Sequence, residues 1–238
     1  MAGHSKWANI KHKKERADRA KGKVFSNLIK EIISAVKLGG PDPKSNSRLR
    51  FAVQKAKEAN MPSENIERNI KKASEKDSSN YECIIYEMYG YGGIGLMIEA
   101  ITDNKNRTAS DMRIATNKKG GNMAQPGSVA FSFSRKGVIQ IKKEKEDEER
   151  ILNLAIESGA ENFEISEDRY IIITDPAELY AVREKLEGIS TIITEVNIEM
   201  IPKMRIRCQP EDQRANLSLI QWLEEIEEVH AVYHNMDL

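Results

Sequence analysis

The fold of this chain is decided by residues 137–202, which read GVIQIKKEKEDEERILNLAIESGAENFEISEDRYIIITDPAELYAVREKLEGISTIITEVNIEMIP. Short apolar runs predict strands, and apolar residues at three- and four-residue spacing predict helices. The predicted elements are a strand at 138–141, a helix at 146–158, a hairpin of strands at 161–165 and 170–174, a helix at 176–186 and a strand at 192–201. This βαββαβ order is that of the ferredoxin-like fold, so we predict a complete α/β domain here.

The segments on either side of this stretch are each incomplete. Residues 81–134 predict two strands, a helix and a third strand, at 83–89, 96–101, 107–117 and 128–133. Beyond Pro202, the chain predicts a helix at about 211–228 and a strand at 229–234. Since the tail supplies the helix and the strand that 81–134 lacks, we expect 137–202 to be inserted into a second ferredoxin-like domain. Three consecutive domains followed by a loose helix are the alternative.

Residues 24–73 have helical periodicity. Apolar side chains recur on one face in three successive stretches, at 24–36, 47–57 and 63–73. Stripes of this width pack as a small bundle. In the second stretch we expect four cations to stay in solvent, namely Arg48, Arg50, Lys55 and Lys57. The chain is therefore predicted to be an α+β protein of three domains, at 1–77, at 78–136 with 203–238, and at 137–202.

Charge is distributed unevenly along the 238 residues. Basic and acidic side chains number 37 each, but residues 1–76 hold 19 basic and 8 acidic ones, while residues 137–238 hold 11 and 23. Such asymmetry indicates separate modules with separate partners. No apolar run approaches the roughly 20 residues of a membrane span, and the lysine-rich N-terminus is not a secretory signal. Two cysteines exclude a disulfide framework and a four-cysteine zinc site, so we expect a soluble, cytoplasmic protein with no membrane partner.

The basic N-terminal arm, residues 4–23, is the first candidate site. It contains almost no large apolar side chain except Trp7 and Ile10, so burial cannot hold it in place. Each cation placed on a phosphate releases counterions and adds affinity that does not depend on base sequence, and an aromatic ring such as Trp7 can stack on a base. The candidate nucleic-acid-binding residues here are Lys6, Trp7, Lys11, His12, Lys13, Lys14, Arg16, Arg19, Lys21 and Lys23. A solvated helix with a cationic bias is the alternative.

The segment 117–122 is the second candidate site. It places Lys118 and Lys119 beside Gly120 and Gly121, and a glycine-flexed loop with two cations can approach a nucleic-acid backbone closely. The same residues are equally well explained as a helix C-cap, where lysine and glycine are favoured.

No pattern in the chain indicates an enzyme site. Residues 90–95 have G-x-G-x-x-G spacing, but a predicted strand follows them, which favours a hairpin turn over a dinucleotide site. His230 and His234 fall on a predicted strand at a separation too long to chelate one ion, and we interpret them as surface polar residues. We therefore predict a protein that is not an enzyme, with no catalytic residue, metal ion or cofactor.

Several motifs together resemble one known family. The opening MAGHSKWANIKHKK, residues 1–14, is similar to the signature of the YebC/PmpR family. Further similar segments extend over nearly the whole chain, including Gly40-Pro41-Asp42-Pro43, Asn60-Met61-Pro62, Tyr86-Glu87, Gly90-Tyr91-Gly92-Gly93, Thr102-Asp103-Asn104, Asn106-Arg107-Thr108, Gly121-Asn122 and 126–131. The resemblance implies a helical domain and two α/β domains, and a DNA-binding transcriptional regulator of the bacterial cytoplasm. It provides no catalytic residue.

The resemblance also implies a second role. Relatives, among them a mitochondrial activator of the translation of a cytochrome oxidase subunit, are treated as ribosome-associated factors that help synthesis through proline-rich stretches. We therefore predict a nucleic-acid-binding regulator that acts on DNA with the transcription machinery. The alternative is a translation factor that binds ribosomal RNA on the ribosome through the same arm. A small-molecule sensor is a third class, and its ligand would raise the melting temperature.

Overall fold

The computed structural model of the chain describes residues 17–75, 81–143, 148–187 and 193–238. Its helices are α1 (Ala17–Gly39), α2 (Ser47–Glu58), α3 (Ser63–Ser74), α4 (Lys105–Lys119), α5 (Glu148–Ser158), α6 (Leu179–Glu187) and α7 (Pro210–Glu225). Its strands are β1 (Glu82–Tyr89), β2 (Gly95–Thr102), β3 (Asn122–Met123), β4 (Phe133–Lys142), β5 (Asn162–Ile165), β6 (Arg169–Thr174), β7 (Ile193–Pro202) and β8 (Val229–His234).

The first three helices form a bundle around their apolar faces. Leu28 and Ile32 of α1 pack with Leu49 of α2 and Ile66 of α3, all buried.

One asparagine fixes the turn between α1 and α2. Asn46 accepts a hydrogen bond from the backbone N–H of Leu49 and donates to the carbonyl oxygens of Ala35 and Gly40. It therefore caps the start of α2 and satisfies carbonyl groups at the end of α1.

The first sheet has the strand order β3-β1-β2-β8, and all its neighbouring strands are antiparallel. Leu96 and Ile98 of β2 lie on the face that packs against Met112 of α4 and Leu219 and Leu223 of α7. The C-terminal helix and strand thus complete the sheet that begins at residue 82, which confirms the predicted insertion.

The second sheet has the strand order β5-β6-β4-β7, again antiparallel throughout. This is the ferredoxin-like order for a βαββαβ chain. Ile139 and Ile172 lie on the face covered by Ile151 of α5 and by Leu179 and Val182 of α6. The prediction of an α+β protein with a helical bundle and two α/β domains, one inserted into the other, is confirmed.

The strand predicted at 128–133 is wrong. Residues Ala130–Ser132 form a single 3-10 turn, and Phe133 begins β4, which belongs to the second sheet. The physical reason is the carboxylate of Glu87, which accepts hydrogen bonds from the backbone N–H groups of Gly127, Val129 and Ala130. These donors are therefore not available to a neighbouring strand. The first sheet instead gains the two-residue strand β3.

The two sheets also share a core. Met97 of β2 and Tyr233 of β8 lie on the face of the first sheet opposite its helices, and they pack with Val129, Phe133 and Met200. Since Phe133 and Met200 belong to β4 and β7, the inserted domain covers the rear of the first sheet. Buried apolar contacts thus hold the two α/β domains together.

Candidate nucleic-acid interface

The predicted arm lies mostly outside the described residues. Lys6, Trp7, Lys11, His12, Lys13, Lys14 and Arg16 precede the first described position. The helix α1 begins at Ala17 and contains the positions of Arg19, Lys21 and Lys23, whose backbone is helical. The apolar side chains of α1 pack into the bundle between Phe25 and Val36. The basic arm therefore continues directly into a helix that is anchored in the bundle.

Two contacts hold α1 on the first α/β domain. The Nζ atom of Lys30 donates to the carbonyl oxygen of Glu227 at 2.7 Å. The Oε1 atom of Glu31 lies 3.2 Å from Nε2 of His230 on β8. Burial lowers the pKa of Lys30, an effect that the nearby carboxylates of Glu227 and Glu228 oppose. These two contacts fix the orientation of α1 relative to the first α/β domain.

Two of the four cations of α2 contact the inserted domain. Arg50 forms an ion pair with Glu184 of α6. The Nζ atom of Lys55 donates to Asn197 of β7 at 2.6 Å and lies 4.8 Å from the centroid of the Phe51 ring. The expectation that Lys55 stays in solvent is therefore wrong, because it is half-buried against the inserted domain. Arg50 keeps 39% of its side chain exposed while it pairs with Glu184, and Lys57 is exposed, as expected.

Phe51 is the centre of the same contact between domains. Its ring centroid lies 6.0 Å from that of Tyr180, and the guanidinium of Arg183 lies 5.0 Å from it. Arg183 also donates to the side-chain oxygen of Gln54 at 2.7 Å. The helical domain is thus mounted on the inserted domain by an aromatic and cationic cluster.

The segment 117–122 is a packed helix end. Gly120 (φ +79°) follows the last turn of α4, and its N–H donates to the carbonyl oxygen of Thr116 at 2.8 Å, as in a C-cap. A Cβ atom on Gly120 would lie 1.8 Å from the hydroxyl of Tyr91. The glycine is therefore required by close packing, which supports the C-cap interpretation that the sequence left open.

The two lysines of this segment have different surroundings. The Nζ atom of Lys119 lies 5.2 Å from the centroid of the Trp222 ring, and the Lys119 carbonyl oxygen accepts a hydrogen bond from the hydroxyl of Tyr91 at 3.3 Å. Lys118 is exposed. Lys118 therefore lies in solvent, whereas Lys119 contacts an aromatic ring.

A cleft of about 670 Å³ lies between α1, α4 and the end of α7. Four carboxylates and two cations are among its lining residues, namely Asp103, Asp111, Glu227 and Glu228 with Lys30 and Arg107. Arg107 donates to Asp103 and Glu228 at 2.7 Å each, so its charge is matched within the protein. Since the carboxylates outnumber the cations, the electrostatic potential in this cleft is negative. The cleft therefore repels phosphate and is a poor site for nucleic acid.

The histidines of β8 are not surface polar residues, so that interpretation is wrong. His234 is 1% exposed, and His230 contacts Glu31. Burial, reinforced by the cation of Arg205, lowers the pKa of His234 to about 4.

Within the described ranges, no group of three or more His, Cys, Asp or Glu side chains is arranged to hold a metal ion. In those same ranges, no helix is long and apolar enough to cross a membrane.

Sequence reasoning missed an exposed surface beside the 3-10 turn. Phe131 and Met204 are 72% and 76% exposed. Lys203 joins them, because its backbone N–H donates to the carbonyl oxygen of Ser132 and its Nζ to that of Phe131. The available signal was the run Lys203-Met204-Arg205-Ile206-Arg207, in which cations alternate with apolar residues.

Comparison with known proteins gives concordant matches along the chain. The family model described as "TACO1/YebC protein N-terminal domain" matches residues 5–76, and the one described as "TACO1/YebC second and third domain" matches residues 81–236. A protein of Protochlamydia amoebophila is 56% identical over 238 residues, which is 100% of this chain and 97% of that protein. A protein of Chlamydia felis is 55% identical over 99% of this chain and 100% of its own length. Both carry the name "Probable transcriptional regulatory protein".

A solved structure has the same fold. The crystal structure of a conserved hypothetical protein, Aq1575 from Aquifex aeolicus, superposes with a TM-score of 0.86 at 43% sequence identity. The match covers 92% of this chain and 91% of that one.

Proposed function

The chain belongs to the TACO1/YebC family, and from that premise we propose that it is a non-enzymatic regulator that binds nucleic acid through its basic arm and α1. The first target is DNA, in keeping with the names of its relatives. The two lysines that end α4 add to this surface. The cations contact phosphates and Trp7 stacks on a base. The proposed residues are Lys6, Trp7, Lys11, His12, Lys13, Lys14, Arg16, Arg19, Lys21, Lys23, Lys118 and Lys119.

One observation carries this proposal. Residues 1–76 hold 19 basic and 8 acidic side chains, and two of the cations outside the arm, Arg50 and Lys55, are engaged by the inserted domain. Residues 4–23 hold 8 basic and 2 acidic side chains, whereas residues 24–76 hold 11 and 6, so the net positive charge per residue is greatest in the arm. A dense run of cations gains affinity for a polyanion because binding releases the counterions condensed on the polyanion.

The proposal includes the domain division at 1–77, at 78–136 with 203–238, and at 137–202. It is supported by the strand content of the two sheets. Strand β4 begins at Phe133, four residues before the proposed start of the inserted domain. We propose further that the two α/β domains carry and orient the arm inside the cytoplasm.

The test is a charge reversal in the arm. Lys13→Glu with Arg16→Glu should weaken binding to duplex DNA of several sequences about equally, because phosphate contacts carry no sequence information. The slope of log K against log salt should become shallower by about two, since each phosphate contact contributes about one. The matched control is Lys71→Glu with Lys72→Glu, which makes the same charge change at two exposed positions of α3.

Two further measurements distinguish DNA from ribosomal RNA as the target. Sedimentation of a DNase-treated lysate tests whether the parent chain travels with ribosomal particles, and crosslinking tests whether it recovers promoter fragments. Ribosome association that the arm variant abolishes, without recovered promoters, would replace DNA by ribosomal RNA as the target. Undiminished binding of the arm variant to both DNA and ribosomes would overturn the role of the arm.

A further inference from the structure

We propose that the surface formed by Phe131, Lys203 and Met204, called here the Phe131 platform, binds single-stranded nucleic acid by stacking a base on the Phe131 ring, and that the exposed Arg207 of the same segment contacts a phosphate of that strand. This inference rests on the proposed function and adds a second binding site, remote in sequence from the arm. It also specifies the form of nucleic acid, because stacking requires a base that is not already paired.

The first argument is the exposure of the ring. Phe131, Met204 and Leu38 are the most exposed large apolar side chains in the described part of the chain, at 72%, 76% and 73%. A ring this exposed contributes little to the folding free energy, because most of its apolar surface remains in water. Single exposed apolar residues are common on protein surfaces, so exposure alone does not indicate a binding site. The groups around the ring supply the further evidence.

The second argument is that the ring is held on a rigid support. The carboxylate of Glu87, itself 7% exposed, accepts hydrogen bonds from the N–H groups of Gly127, Val129 and Ala130 at 2.6, 2.6 and 2.9 Å. These charge-assisted bonds are among the stronger kinds in proteins. Val129 is also anchored in the core between the two sheets. The backbone that carries Phe131 is therefore held in one position, which lowers the entropic cost of stacking.

The third argument is the charge beside the ring. The Nζ atom of Lys203 lies 2.8 Å from the carbonyl oxygen of Phe131, so a cation is fixed at the base of the aromatic side chain. Arg207 follows on the same segment, and its side chain is 91% exposed while it contacts Asp237. A ring with one cation at its base and a second, exposed cation four residues further along the chain matches a base followed by its phosphates. An apolar protein partner would match the ring and Met204 but not the cations.

The experiment measures binding of a fluorescein-labelled, unstructured 12-nucleotide RNA, with the equivalent RNA duplex as the comparison probe. Phe131→Ala should weaken binding of the single strand by about tenfold, because base stacking on an aromatic residue typically contributes that much. Binding of the duplex and the melting temperature should be unchanged. Phe131→Trp should bind the single strand at least as tightly as the parent chain, whereas Phe131→Leu should behave like the alanine variant.

Two further variants complete the design. Leu38→Ala removes an equally exposed apolar side chain on α1 and should leave single-strand binding unchanged. Arg207→Gln should reduce the slope of log K against log salt by about 0.7, which is the contribution of one phosphate contact on a single strand.

The outcomes distinguish this inference from the proposed function. If Phe131→Ala binds the single strand like the parent chain while Lys13→Glu with Arg16→Glu binds it weakly, the platform is overturned and the arm is retained. If the arm variant binds both probes like the parent chain while Phe131→Ala does not, the arm is overturned and the platform is retained. Equal loss for Phe131→Leu and Phe131→Trp would overturn stacking and favour a protein-type contact.

Discussion

Glu31 of α1 and His230 of β8 meet at the junction of the three domains, with the carboxylate Oε1 atom 3.2 Å from the imidazole Nε2 atom. Burial by itself would raise the pKa of Glu31, but the cations of Lys55 and Arg48 and the hydrogen bond with His230 lower it to about 2. Lys55 also bonds to Asn197 of the inserted domain. One carboxylate thus links the helical domain electrostatically to both α/β domains.

Glu31→Gln should therefore destabilise the chain in a manner that depends on pH. The folded pKa of about 2 lies below the ordinary value of 4.5, so the ionised carboxylate stabilises the fold above pH 4.5 and this stabilisation is lost as the pH falls from 4.5 to 2. We expect a cost of about 2 to 3 kcal/mol at pH 7 and less than half of that at pH 3. Urea unfolding at the two pH values measures it. Glu64→Gln, at an exposed position of α3, is the control, and an equal cost of Glu31→Gln at both pH values would contradict the electrostatic account.

His234 should cause a second, separate loss of stability in mild acid. Its folded pKa of about 4 lies below the ordinary 6.5, so between these values the unfolded chain binds a proton that the folded chain does not. Stability therefore falls as the pH drops from 6.5 to 4, by up to about 3 kcal/mol. In His234→Gln, the free energy of unfolding should vary less over this window, whatever its value at pH 7. Thermal unfolding at half-unit pH steps tests this, and an unchanged slope would show that other groups titrate.

Glu87→Gln should loosen the segment 127–130. The amide side chain has one acceptor oxygen where the carboxylate has two, so at least one of three backbone N–H groups loses its partner. We expect a loss of about 1 to 3 kcal/mol, as for a buried donor left without a partner. Hydrogen exchange of the amides of Gly127, Val129 and Ala130 should accelerate. Glu82→Gln, at an exposed position of the same strand, should leave these amides protected.

Gly120→Ala should be more harmful than Gly40→Ala, although both glycines have a positive φ, of +79° and +83°. At Gly40 nothing lies within 4 Å of the added Cβ, so only the backbone strain of roughly 1 to 2 kcal/mol is expected. At Gly120 the Cβ would also displace the Tyr91 side chain. Denaturant unfolding measures both costs. Adding Tyr91→Ala should recover part of the loss at Gly120 and none at Gly40. Equal recovery at both, or none at Gly120, would show that the clash with Tyr91 is not the cause of the extra cost.

The order of the secondary-structure elements could largely be predicted from the sequence. The βαββαβ unit follows from apolar spacing within short segments, which is why strands such as β6 and helices such as α5 were found within a few residues. The strand predicted at 128–133 was wrong because the group that determines its conformation, Glu87, lies about forty residues earlier. Periodicity carries no information about such a partner.

The candidate site was predictable in charge but not in geometry. Lys118 and Lys119 are adjacent in sequence, yet the Trp222 ring lies beside only one of them in the described contacts. Phe131 matched a strand pattern with alternating apolar residues and is instead exposed on a turn. Both outcomes depend on packing between segments about a hundred or forty residues apart.

The sequence by itself determined the family, the succession of helices and strands, and the concentration of positive charge in the first 76 residues, since each of these depends on residue identity or on spacing within one turn or strand. Only the tertiary structure decided which cations are paired within the protein. Arg50 and Glu184 are 134 positions apart, and their ion pair exists because the inserted domain folds against α2. Electrostatic and packing energies fall off with distance in space, and distance in space is fixed only when the chain has folded.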